Sequence, residues 1–237
     1  MEARRAGEPP NDELRSKDAG APPLVVRVWE PQDAAPQLTV IAIHGRGSNE
    51  NDLIGLAPPL GLPLRFVAPR GPLTLSLGWA VGYAWYEFAS VGDPEPEGLQ
   101  RSLERLVGLV HHVHERYHLT KEQLVLLGFS QGALMSMLTA LTVPDLVGGV
   151  VALSGYLPRP EVWTPPHTDL GGMPVLVTHG TYDSILPVAW GRAAAERLRG
   201  YNADVRYEEF PMDHEVNASC LQAIRSWFLD YQAGLAR

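Results

Sequence analysis

Leu124-Val125-Leu126-Leu127-Gly128-Phe129-Ser130-Gln131-Gly132-Ala133-Leu134 is the stretch that decides the fold. An apolar run over Gln123–Leu127 reads as a buried strand, and Ala133–Leu141 reads as a small-residue apolar helix packed on a sheet centre. Gly128-Phe129-Ser130-Gln131-Gly132 between them matches G-x-S-x-G, the sharp strand-to-helix turn that exposes a serine hydroxyl at a sheet edge. The two glycines have a steric reason, because side chains there would collide where the turn folds strand against helix. The following helix directs the Gln131 N–H and its dipole toward developing negative charge.

Outward from this turn, further candidate strands end at or just before glycine, proline or serine. They are Leu24–Trp29, Leu38–Ile43, Leu64–Ala68, Val147–Leu153, Pro174–Thr178 and Asp204–Phe210. Several are continuous rather than alternating, which predicts strands buried on both faces, as in a parallel sheet. Helical periodicity predicts helices at 96–117, 188–198 and 218–230; in the first, Leu99, Leu103, Leu106, Val107, Val110 and Tyr117 share one face. Alternating strand and helix predicts an α/β fold with a mainly parallel sheet flanked by helices. Residues 1–22 are proline-rich, charged and poor in large apolar groups, so they read as a flexible tail before one domain over 23–237. Residues 70–98 read as a long loop whose aromatics (Trp79, Tyr83, Trp85, Tyr86, Phe88) line or cover a pocket.

Composition excludes several classes. Among 237 residues, 19 Lys+Arg face 27 Asp+Glu, and the net charge of −8 argues against a phosphate-backbone binder. One cysteine supports neither a disulfide framework nor a cysteine-rich zinc site. No apolar run reaches the roughly 18–20 residues that span a bilayer, and the N-terminus lacks the apolar core of a secretory signal. The expectation is a cytoplasmic protein, monomeric or homodimeric, without nucleic-acid or membrane-spanning roles.

A serine hydroxyl needs an adjacent base, and the base needs an orienting acid. In this fold type the chain order is serine, acid, histidine. Asp183 lies just past the strand at 174–178, and His214 just past the strand at 204–210, so both fall on the rim that carries Ser130. Asp213 adjoins His214 too closely for such a bond, Asp204 starts a strand on the wrong edge, and Asp145 and Asp169 are ordinary loop or helix-end acids. Ser154 is the weaker alternative nucleophile, with the bland role of a loop hydroxyl. His111, His112, His114 and His118 read as a solvated helix face; no H-E-x-x-H pattern supports a metal site there. His44 and His179 read as loop organisers. A second oxyanion donor is expected from His44-Gly45-Arg46-Gly47, where flanking glycines let the Arg46 N–H turn inward beside that of Gln131. The Arg46 side chain is expected to point away, or toward Asn49, Glu50 or Asp52. Trp85, Tyr86, Phe88, Ile185 and Leu186 are candidates for an apolar substrate pocket, with core packing as the competing reading of the aromatics.

These segments resemble the phospholipase/carboxylesterase family of α/β-hydrolases, which also contains the acyl-protein thioesterases. The resemblance rests on 44–47, Pro69-Arg70-Gly71-Pro72, Ala84-Trp85-Tyr86, 128–132, His179-Gly180 through Asp183 to Pro187, and Met212-Asp213-His214-Glu215-Val216. It implies an α/β-hydrolase fold without a large cap domain. It also implies a serine hydrolase of carboxylic or thio esters that uses no metal or organic cofactor. His44-Gly45-Arg46-Gly47 looks more like the bacterial carboxylesterases, because the thioesterase branch commonly has an apolar residue where Arg46 stands. The reading is a carboxylesterase for small ester substrates, working through Ser130, His214 and Asp183 and an acyl-enzyme. The alternatives are an acyl-thioesterase or lysophospholipase, a peptidase or acyltransferase using the same serine, and a binding module with a vestigial triad.

Overall fold

The structure, a computed structural model, describes residues 24–235 apart from 33 and 79. The expected tail at 1–22 and Trp79 lie outside the described residues. Seven strands build the central sheet: β1 (Val26–Trp29), β2 (Leu38–Ile43), β3 (Leu64–Pro69), β8 (Leu124–Phe129), β9 (Gly149–Leu153), β10 (Pro174–Gly180) and β11 (Asp204–Phe210). Their spatial order is β1-β3-β2-β8-β9-β10-β11, and only β1 runs antiparallel to its neighbour. This is the α/β-hydrolase architecture. The helices are α1 (Ala57–Leu60), α2 (Pro96–Tyr117), α3 (Gln131–Thr142), α4 (Val188–Gly200) and α5 (Ala218–Leu235).

The continuous apolar strands divide their side chains between two cores, as the period of two requires. Ile41, Ile43, Leu124, Leu126, Val150 and Val177 face the core built with α2, α3 and α4. Leu38, Val40, Val125, Leu127 and Leu176 face the opposite one, with Leu60 of α1 and Ile224 and Phe228 of α5. A fully buried Leu, Ile or Val stabilises by about 1.5–3 kcal/mol before entropy is counted, so the central strands anchor both layers. Helix α3 is buried from Gln131 to Leu141, which explains its small and largely apolar residues; the Ser136 and Thr139 hydroxyls donate to the Gly132 and Met135 carbonyls of the same helix. Helix α2 starts where the Glu95 carboxylate accepts from the Glu97 and Gly98 N–H groups, with Pro96 in the first turn.

Two departures from the sequence reading concern this layer. Residues 70–98 are not one loop. They form hairpin β4 (Leu73–Leu77)–β5 (Ala80–Ala84) and a smaller hairpin β6 (Phe88–Ser90)–β7 (Asp93–Pro94). The histidines of α2 are not all solvated. His114 Nε2 lies 2.6 Å from the Leu146 carbonyl, tying the end of α2 to the segment before β9, and His112 is half-buried. His114 is held there because α2 packs its last turn on this connection rather than facing water.

The β8–α3 turn is the tightest packing point. A Cβ on Gly132 would stand 1.8 Å from the Ile43 carbonyl oxygen, and one on Gly128 would stand 2.1 Å from the Gly132 carbonyl oxygen. Backbone cannot yield as a flexible side chain can. Gly132→Ala is expected to lower the unfolding free energy by roughly 3 kcal/mol or more, measured by urea denaturation; unchanged stability would contradict this packing.

Candidate active site

Three strand ends bring the candidate side chains together. Ser130 follows β8 with φ 55° and ψ −117°, a left-handed backbone that a non-glycine residue adopts only under constraint. Its N–H donates to the Leu153 carbonyl at 2.9 Å, and its carbonyl accepts from Ala133 N–H in the first turn of α3. The hydroxyl is thereby fixed above the sheet edge. His214 Nε2 lies 2.9 Å from Ser130 Oγ, and His214 Nδ1 lies 2.8 Å from Asp183 Oδ2.

The acid and the histidine are held by their loops. The Asp183 side chain is fully buried, and its Oδ1 accepts from the Ile185 and Leu186 N–H groups at 2.9 and 2.7 Å. Asp213 Oδ1 accepts from the Ser184 and His214 N–H groups at 2.7 and 2.8 Å, stitching the two loops together. These backbone donors, Ser184 first, hold the Asp213 carboxyl below the usual carboxylate range. Asp213 therefore shapes the loop and does not reach the imidazole ring. A Cβ on Gly180 would stand 2.4 Å from the Met212 and Asp213 carbonyl oxygens, so the end of β10 lies directly against the loop that carries His214. The Phe129 ring sits 4.8 Å from the imidazole, centroid to centroid, and limits its tilt.

His179 and His44 organise the surrounding loops. His179 Nε2 faces the Leu186 carbonyl at 2.9 Å and Asp183 Oδ2 at 3.4 Å. Its buried Nδ1 has no partner among the described residues, so the hydrogen-bond pattern assigns the proton to Nε2. His44 Nε2 accepts from Gly71 N–H at 2.9 Å. Ser154, at φ 47°, is fully buried; its N–H donates to the Thr178 carbonyl and its hydroxyl does not reach His214.

A cavity of about 300 Å³ opens beside Ser130 and His214, walled by Arg46, Tyr86, Phe88, Gln131 and Ile185. Of the five expected pocket residues, Tyr86, Phe88 and Ile185 line it. Trp85 does not: its ring is buried in the core, and its indole N–H donates to the His44 carbonyl at 2.9 Å. Leu186 does not either, because its amide is drawn inward to Asp183 and its side chain packs in the α4-side core. The Arg46 side chain departs from expectation as well. It turns to the pocket wall, pairing with Glu87 at 2.7 Å, donating to the Tyr86 carbonyl at 3.2 Å and lying over the Phe88 ring at 4.7 Å. Glu50, expected near it, instead forms a two-pronged pair with Arg70 at 2.6 and 2.7 Å.

Sequence reasoning missed four contributors. The Gln131 side chain bonds both faces of the aromatic segment, accepting from Trp85 N–H at 3.1 Å and donating to the Tyr86 carbonyl at 2.9 Å. Tyr156 closes the cavity with its hydroxyl 3.3 Å from that of Tyr86; its place just beyond β9, on the shared rim, was the available signal. Val91 and Gly92, from the β6–β7 turn, form the outer wall and carried no signal. Among the described residues, no group of three or more His, Cys, Asp or Glu is gathered as a metal ion would need.

Fold and rim together define an α/β-hydrolase with a serine at the sheet edge. The chain belongs to the phospholipase/carboxylesterase family, whose model matches residues 25–232, and it is a serine hydrolase. It is 27% identical over 180 residues to acyl-protein thioesterase 1 of Candida albicans, covering 69% of this chain and 78% of that one. The fold is similar to the crystal structure of esterase PE8, with a TM-score of 0.77 at 24% identity over 88% of this chain and 99% of that one. It is also similar to the Bacillus cereus carboxylesterase, with a TM-score of 0.75 at 20% identity over 88% and 94% of the two chains. No helix among the described residues is long and apolar enough to cross a membrane.

Burial holds the rings of His44 and His179 below the ordinary histidine value of 6.5. Unfolded, both rings protonate near that value, so the unfolded chain binds more protons below it and stability falls as pH falls. Each ring contributes at most about 1.4 kcal/mol per pH unit. Urea unfolding between about pH 6.5 and pH 5 is expected to show this decline, less steep in His179→Gln; a flat wild-type profile would contradict neutral buried rings.

Proposed function

We propose that this protein is a carboxylesterase that hydrolyses small carboxylic esters through a Ser130–His214–Asp183 triad and an acyl-enzyme. The observation that carries the reading is the unbroken hydrogen-bond chain at 2.9 and 2.8 Å from hydroxyl to imidazole to buried carboxylate. Ser130 Oγ attacks the ester carbonyl as His214 Nε2 takes the hydroxyl proton, and Asp183 stabilises the imidazolium that forms. The oxyanion accepts from the Gln131 N–H, which stands at the first position of α3 where the helix supplies no acceptor. The Arg46 N–H is the second donor. Gly45 supports this, since its backbone runs so close to the elbow that a Cβ there would stand 3.4 Å from Ser130 Cβ. Collapse of the tetrahedral intermediate breaks the C–O bond, and the imidazolium proton goes to the departing alcohol. Water, deprotonated by His214, then attacks the acyl-enzyme and releases the acid and the free Ser130 hydroxyl.

Tyr86, Phe88 and Ile185 supply the apolar contacts to substrate, with Arg46 at the polar side. A second reading, hydrolysis of acyl thioesters, is favoured by the relative named acyl-protein thioesterase 1. The same residues perform both reactions, since the attacked carbonyl and oxyanion are shared and only the leaving atom differs.

Ser130→Ala is expected to lower kcat for p-nitrophenyl acetate by about 10⁴-fold or more, with loss of covalent labelling by a fluorophosphonate. A retained rate would end the proposal. A matched acyl-length series of esters and thioesters decides between the two readings, and the oxygen esters are expected to be cleaved with the higher kcat/KM.

A further inference from the structure

The larger cavity on this face does not contain Ser130. About 510 Å³ in volume, it lies between the β6–β7 turn, the segment after β9, and α4. Val91, Gly92 and Tyr156 line both this cavity and the one at Ser130, so the two share a wall. Its near side is aromatic: the Tyr156 and Trp190 rings lie 5.3 Å apart, and a Cβ on Gly92 would stand 2.5 Å from Trp190. Its far side is cationic. Arg159 and Arg197 both line it, with Asp93 as the one lining carboxylate. Arg159 pairs with Asp93 at 3.2 Å, and Arg197 has no carboxylate partner among the described residues. Arg197 is half-buried and donates through Nη1 to the Pro158 carbonyl at 2.6 Å and, more weakly, to that of Leu157 at 3.4 Å. Its Nη2 edge makes no hydrogen bond to the described residues. Two carbonyls fix the guanidinium in place and leave part of its donor fork for a ligand, the geometry that suits a carboxylate.

Resting on the ester-hydrolase reading above, we propose that the substrate is an ester with one arm extended past Tyr156 into this cavity and ended by a carboxylate held by Arg197. The apolar part of the arm lies against Tyr156 and Trp190. Gly92 carries no side chain because a Cβ there would run into the Trp190 ring that lines the cavity. Asp93 competes for the cationic wall and sets how strongly the anion is held.

The test compares neutral and anionic esters of matched length on each arm. On the acyl arm the pair is p-nitrophenyl octanoate and mono-p-nitrophenyl suberate; on the alcohol arm it is hexyl acetate and its ω-carboxylated counterpart. For one arm, the anionic ester is expected to have about tenfold higher kcat/KM, expressed mainly in KM, as for a hydrogen bond to a charged group. Arg197→Gln should erase this ratio and Arg197→Lys should keep part of it. Asp93→Asn, on an exposed side chain, should raise it. A folding defect lowers the rates for both esters together and leaves the ratio intact, so the ratio reads the site alone. No anionic preference on either arm, or a preference indifferent to all three substitutions, overturns the proposal. A wild-type protein that cleaves no p-nitrophenyl acetate overturns the esterase reading, and this one with it.

Discussion

Everything at the rim depends on one close approach: the backbone of Gly132 against the carbonyl of Ile43, with no room for a single carbon atom between them. That contact presses the start of α3 onto β2 and forces the chain to reverse within one residue after β8. The reversal puts Ser130 at φ 55°, a conformation costing about 1–3 kcal/mol that persists only because the surrounding sheet over-determines it. The burial of α3 from Gln131 to Leu141 supplies the opposing stabilisation. Strain at the serine and apolar packing behind it are therefore two sides of one arrangement.

A second set of constraints acts on the opposite side of the site. β10 and β11 are parallel neighbours, in register from Pro174 with Asp204 to Gly180 with Phe210. Their following loops leave the sheet side by side, and Asp213 joins them by accepting from both Ser184 and His214. The carboxylate of Asp183 is satisfied by two backbone donors before it meets any side chain. A buried carboxylate without such partners would carry a desolvation cost of several kcal/mol; here its charge is compensated by the loop that presents it.

The central strands were legible because burial on both faces leaves continuous apolar runs, and β2, β8 and β9 are of this kind. Asp183 and His214 were legible as positions, since each follows shortly after a strand end on one rim; sequence order does not by itself give their roles. The hairpins within 70–98 were not legible. β4 and β5 leave much of their length exposed, with Leu77 and Val81 at 47% and 60% accessibility, and the face that β5 buries carries Gly82 and Ala84, too small to give an apolar alternation. Trp85 and Phe88 could not be told apart because both are aromatic residues in a glycine-rich stretch. Only packing separates them, and it sends Trp85 under His44 and Phe88 to the cavity. Arg46 was misdirected by sequence proximity: nearby acids attracted the expectation, whereas Glu87, distant in sequence, stands closer in space.

The Gln131 side chain holds Trp85 and Tyr86 by their main chain, so the floor of the cavity is fastened to the same residue that follows the serine. Enlarging the site by altering Tyr86 would disturb a segment fastened to the elbow. Phe88, Val91 and Ile185 hang from outer segments that Gln131 does not grip, and their volumes can change without moving the serine. Diversification of ester preference in this scaffold is thus channelled outward, to the rim, while the floor stays fixed.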